Sequence, residues 1–121
     1  MAPPAAPRSP RARLLDVLEA IEGIRNATAD LDFDSYAGNW IVRRAVERGL
    51  EIISEASRHF SAAMKAAHPD VPWREIAGIG NVLRHEYQRV EDRLVWNVIR
   101  DHIAPLEAAV RAAIAELPGP E

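Results

Sequence analysis

Cysteine is absent from this chain of 121 residues. That excludes a disulfide framework, a zinc–thiolate site and a thiol nucleophile. Threonine occurs once, at Thr28, and no stretch alternates apolar and polar residues, so β-structure lacks both its favoured residues and its period. No apolar run approaches the roughly 20 residues that cross a bilayer, so no membrane partner is expected. Met1 to Pro10 lacks the apolar core of a signal peptide, and the expected address is cytoplasmic. Lysine is almost missing too. Of 15 basic residues one is Lys65, which leaves fourteen arginines against 18 acids, for a net charge of −3. Bulk charge therefore does not announce a nucleic-acid binder. The arginine bias fits either a coding bias, which the alanine richness shares, or recognition of planar anions by guanidinium groups.

What is present is helical amphipathicity. With 48% hydrophobic and 27% charged residues, the chain suffices for one core and no more. Six of nine prolines cluster at the ends, so residues 1–10 read as a loose tail, 11–117 as the folded unit and 118–121 as a terminator. Leu14, Leu15, Leu18, Ile21 and Ile24 follow the three-and-four spacing of a helix over 11–26. A polar break holds Thr28, Asp30, Asp32 and Asp34, with Asp34 or Ser35 placed to cap the next helix. One long helix is predicted from about Tyr36 to Ala67, with Gly49 inside it as a point of close helix approach. After His68-Pro69-Asp70-Val71-Pro72, a third helix runs from Trp73 to Leu83, softened by Gly78 and Gly80 into two pieces with a bend. A fourth begins near Glu91, and Pro105 should kink or break it before a last helix. The fold class is all-α, a bundle of four to five helices.

The chemistry concentrates in Gly78-Ile79-Gly80-Asn81-Val82-Leu83-Arg84-His85-Glu86-Tyr87. His85 can take and give protons near neutrality, Arg84 offers a planar donor fork, and Asn81 lies one helical turn before His85. Tyr87 comes two residues later. The same residues also make an ordinary solvated helix end with its cation near the C-terminus. A zinc hydrolase motif would need a second histidine four residues after His85, and position 89 is Arg89. His59, His68 and His102 are scattered, so no metal site and no cofactor are predicted. Arg44, Arg48, Glu51 and Glu55 form a polar stripe that reads as a solvated, ion-paired face or as the charged wall of a cleft. Arg84, Arg89 and Arg93 could engage phosphate, although Glu91 and Asp92 are interleaved.

Glu51-Ile52-Ile53-Ser54-Glu55-Ala56, Val71-Pro72-Trp73-Arg74-Glu75-Ile76-Ala77-Gly78, His85-Glu86-Tyr87 and Leu94-Val95-Trp96 resemble HepT-like proteins of the HEPN superfamily. The resemblance covers about residues 11–115. It implies a HEPN-like bundle, homodimeric, acting as the toxin of a type VII toxin–antitoxin pair. It also implies metal-independent endoribonuclease activity on RNA, neutralised by a minimal nucleotidyltransferase antitoxin. His85 maps to the family's histidine, Asn81 to the asparagine upstream of it, and Tyr87 to the tyrosine that the partner modifies with AMP. Arg48, with Glu51 after it, fits the pattern on the second helix and would line the cleft. The family's catalytic arginine, five positions before the histidine, is here Gly80, and Arg84 is the cation placed to compensate. A catalytically degenerate subunit that binds RNA or the nucleotidyltransferase is the alternative. A helical dimerisation module without RNA chemistry is a third reading.

Overall fold

The computed structural model describes residues 8–85 and 92–118, and every element among them is helical. The order is α1 (Pro10–Thr28), α2 (Phe33–Ala37), α3 (Trp40–Ser57), α4 (Ala62–Ala67), α5 (Trp73–His85) and α6 (Asp92–Glu116). The described residues thus form six helices where the periodicity predicts four or five, because one predicted helix is divided and the two expected on either side of Pro105 are one.

The division falls in the predicted 36–67 helix, and side-chain caps cause it. Asp32 caps α2 by accepting the Ser35 N–H at 2.8 Å, so the cap is neither Asp34 nor Ser35. Gly38 and Asn39 close α2 through bonds to Asp34 and Tyr36 carbonyls. Asn39 then starts α3 by accepting the Val42 N–H at 3.0 Å. At the other end the Phe60 N–H turns back to the Ser57 carbonyl, and Ser61 caps α4 through the Met64 N–H. Each such cap is worth about 1 kcal/mol, enough to stop a helix whose apolar spacing would let it continue. Ser9 likewise caps α1, with Pro10 at its first position.

Pro105 has the opposite outcome. It lies inside α6, which runs from Asp92 to Glu116, so of the expected kink or break the break does not occur. A mid-helix proline costs about 3 kcal/mol. Ile103, Leu106 and Val110, which surround it, are all buried. Burying each contributes roughly 1.5–3 kcal/mol, so continuing the helix wins. Gly78 and Gly80 likewise leave α5 in one piece.

The core is a single cluster. Leu14, Val17, Ile21 and Ile24 of α1 meet Val46, Leu50 and Ile53 of α3, with Ile76 and Leu83 of α5 and Val95, Ile103, Leu106 and Val110 of α6. Helix α3 is central, packing against both α1 and α5, while α6 packs on α1. At Gly49 an added Cβ would stand 2.9 Å from two carbons of Ile24, so glycine sets how closely α1 and α3 approach. Among the described residues no helix is long and apolar enough to cross a membrane.

Candidate active site

Helix α5 carries the residues singled out for chemistry, and three attachments fix it along α3. At its start the Trp73 indole N–H donates to the Lys65 and His68 carbonyls, 3.2 and 3.0 Å away, and the ring meets Phe60 edge-on at 5.9 Å. In its middle, the Ser54 hydroxyl of α3 donates to the Ala77 carbonyl at 2.7 Å and accepts the Gly80 N–H at 3.1 Å. Beside it Arg58 directs two N–H groups at the same Ala77 carbonyl, at 3.3 and 3.0 Å. The pairs Phe60–Trp73, Arg58–Ala77 and Ser54–Gly80 step backwards from beyond the end of α3 into it as α5 advances. The two helices are therefore antiparallel, and the last turn of α5 heads towards the N-terminal half of α3.

That last turn contains Arg84 and His85, whose backbones complete α5. Their side chains lie outside the described residues, as does all of Tyr87. Asn81 is exposed, whereas Gly80 is buried against α3. Position 80 thus faces the interior seam with its N–H committed to Ser54, while positions 77, 81, 84 and 85 fall on one flank by helical spacing.

The charged stripe of α3 is ion-paired. Arg48 meets Glu51 at 3.3 Å and Arg44 meets Glu47 at 3.1 Å. Arg48 and Glu51 line a shallow groove of about 400 Å³ with Arg8, Arg13, Asp16 and Glu55, on the α1 side of α3. No described residue of α5 lines it. Towards α6, a second polar group surrounds Tyr36. This ring is fully buried, 5.2 Å from Trp96, and its hydroxyl has no partner among the described residues. Burial, reinforced by Glu47 and Asp92, pushes the phenol well above its ordinary value. Burial also raises the Glu47 carboxyl, against the pull of Arg44 and Arg43. Arg43 reaches Asp92 at 3.7 Å and ties α3 to the first residue of α6, which comes after the His85–Tyr87 segment in the chain. Among the described residues no three His, Asp or Glu side chains gather as metal ligands would.

Sequence reasoning did not single out Ser54 and Arg58 as site residues. The available signal was a pair of small polar residues, Ser54 and Ser57, on the apolar face of α3, both of which are buried. A buried hydroxyl needs a partner; Ser57 donates to the Ser54 carbonyl of its own helix, whereas Ser54 finds its partner on α5.

A model of the family described as Ribonuclease HepT-like matches residues 17–113. The chain belongs to the HepT-like ribonuclease family. Its relatives agree in extent as well as in sequence. A Methanocaldococcus jannaschii protein, whose name marks it as a candidate RNase, is 34% identical over 103 residues, covering 85% of this chain and 94% of its own. A Thermococcus cleftensis protein named "Probable ribonuclease HepT" is 37% identical over 100 residues, covering 83% and 91%. A third, from Caldanaerobacter subterraneus and also named as a candidate RNase, is 34% identical over 104 residues, covering 86% and 93%. No solved structure matches significantly. The likeness to these HepT-like relatives therefore spans nearly the full length of each of them, and takes in α3, α5 and most of α6 here.

Proposed function

We propose that this HepT-like chain is a metal-independent endoribonuclease, the toxin of a toxin–antitoxin pair, acting as a homodimer. The observation that carries the reading is the family match spanning α5, the helix that ends in Arg84 and His85. In the proposed reaction the His85 imidazole takes the proton of a ribose 2′-hydroxyl. The 2′-oxygen attacks the adjacent phosphorus, the P–O5′ bond breaks, and a proton is returned to the 5′-oxygen. The products are a 2′,3′-cyclic phosphate and a 5′-hydroxyl. Arg84 stabilises the charge that builds on the phosphoryl oxygens, and Asn81 holds the strand on the same flank. DNA lacks the attacking hydroxyl and is spared.

Two chains bring two His85 residues to one cleft. The antitoxin is a minimal nucleotidyltransferase that transfers AMP to Tyr87. The added phosphate would obstruct the cleft and repel RNA. Removing an acid–base imidazole costs about 10²–10⁴ in rate. His85→Ala should therefore fall by that factor on a single-stranded RNA, with wild-type cleavage persisting in EDTA. Equal rates for the two proteins would refute the ribonuclease reading. For the switch, mass spectrometry after incubation with the nucleotidyltransferase and ATP should show one AMP on Tyr87, and no mass gain counts against it.

One observation favours the alternative, a subunit that binds RNA or its partner without cleaving. Gly80, where the resemblance calls for an arginine, is buried with its N–H bonded to Ser54. RNA binding by wild type without any His85-dependent cleavage would establish that reading.

A further inference from the structure

Phosphoryl transfer at an imidazole needs a cation held near the phosphate, and a strand laid along the Ala77–Asn81–His85 flank needs further cations for its other phosphates. On α5 itself the exposed Arg74 falls on that flank, one turn before Ala77. The junction after α3 adds another. Arg58, just past the end of α3, is exposed and lies across that flank, with Nε and Nη2 both donating to the Ala77 carbonyl. That carbonyl already accepts the Ser54 hydroxyl, so the guanidinium shares an occupied acceptor. No ion pair among the described residues uses Arg58, whereas Arg44, Arg48 and Arg111 each meet a carboxylate. Glu55, one turn back on α3, is engaged with His59 at 3.4 Å. Among the described residues Arg58 thus offers a charge that no carboxylate meets, with spare donors. From Ala77 to His85 is eight residues, about 12 Å of helix axis. A short run of extended single-stranded RNA covers that distance.

We propose that Arg58 binds a backbone phosphate of the same RNA strand that is cleaved at His85, a short run of nucleotides away from the scissile phosphate. This rests on the ribonuclease reading and deepens it by assigning the strand a second anchor and a direction along α5. The Ala77 carbonyl is the resting partner, which the phosphate replaces as the better acceptor.

The test compares Arg58→Gln and Arg58→Lys with wild type on one short single-stranded RNA. Binding is read by fluorescence anisotropy on its uncleavable 2′-O-methyl form across a salt series. Cleavage is read on the unmodified form. Glutamine keeps an N–H for Ala77 and loses the charge, so Arg58→Gln should bind about tenfold more weakly and lose about 0.7 from the salt slope, the value of one phosphate on a single strand. Lysine keeps the charge and should retain most of the affinity. Wild-type affinity and slope in Arg58→Gln would overturn the inference, and so would equal loss in both variants, which marks a structural role. If wild type cleaves and Arg58→Gln binds and cleaves equally well, the inference alone fails. If wild type binds through Arg58 yet does not cleave, the ribonuclease reading alone fails. A wild type that binds no RNA refutes both. Should Arg58→Gln not fold, phenylglyoxal labelling of the wild-type chain decides. Bound RNA should protect Arg58, and undiminished labelling refutes the proposal.

Discussion

Ser54 is a single hydroxyl that does two jobs across a helix seam. It donates to Ala77 and accepts from Gly80, so the backbone of α5 is registered against α3 two turns before His85. Replacing it with alanine removes a hydroxyl that bonds both Ala77 and Gly80 across the seam. Each hydrogen bond of this kind contributes about 0.5–1.5 kcal/mol, so the pair is worth roughly 1–3 kcal/mol. Ser54→Ala should lose stability in that range on urea denaturation. It should lose ribonuclease activity beyond what the unfolded fraction explains, because α5 is no longer held at one register. A change under about 0.5 kcal/mol, the range of ordinary surface substitutions, would mean that α5 closes its own bond at position 80 and that the seam does not depend on the serine. At Gly80 the sequence shows only that a side chain is missing. The structure shows that the position faces Ser54, so a compensating cation must come from elsewhere on the flank.

Between elements, the pairing of α1 with α6 depends on charge as well as on the apolar core. Glu107 of α6 accepts from Arg25 of α1 and, at 3.1 Å, from Arg111 one turn on. The hydrogen bond from Arg25 is the main reason that the Glu107 carboxyl is held below its ordinary value, with Arg111 adding to it. A folded-state pKa below the unfolded one means that the unfolded chain binds the proton more readily. The contribution to stability is then complete above the unfolded value, about 4.3 for glutamate. It is lost as pH falls through the lower folded value. Glu107→Gln should therefore lower the melting temperature at pH 7, and the gap to wild type should shrink as acid is added from pH 5 to pH 3. A gap that is constant over that interval would show that Glu107 contributes through packing rather than charge. Both partners are partly exposed, so the effect should also weaken with salt.

The whole molecule presents exposed apolar surface that its own core does not use. Trp40 and Ile41, at the start of α3, are 63% and 74% exposed, and Leu94 at the start of α6 is half exposed. Isolated exposed hydrophobics need no explanation, and these do not by themselves specify a partner. The proposed homodimer is tested directly instead. Sedimentation equilibrium of the wild-type chain should return twice the chain mass at micromolar concentration. A mass that stays at one chain would remove the shared His85 cleft, and with it the two-imidazole arrangement, while leaving the helical bundle intact.

Much of this was legible without coordinates. The lack of alternation and the three-and-four spacing point to an all-α domain, since each is a property of neighbouring residues. The motif ending in His85 and the family it resembles are legible for the same reason, because they are strings. Helix ends were legible where proline marks them and at the start of α6, expected near Glu91 and found at Asp92. The division of 36–67 came from Asp32, Asn39 and Ser61, polar residues whose capping competes with a continuous apolar stripe. Pro105 went the other way, because the burial of Ile103, Leu106 and Val110 depends on α1, more than seventy-five residues earlier in the chain. The sequence by itself thus determined the type of structure and the reactive residue types. Tertiary structure alone decided that Ser54 pins Gly80 and that Arg58 reaches Ala77. Those bonds join residues 19 and 26 positions apart, and only the packing of α3 against α5 brings them within reach.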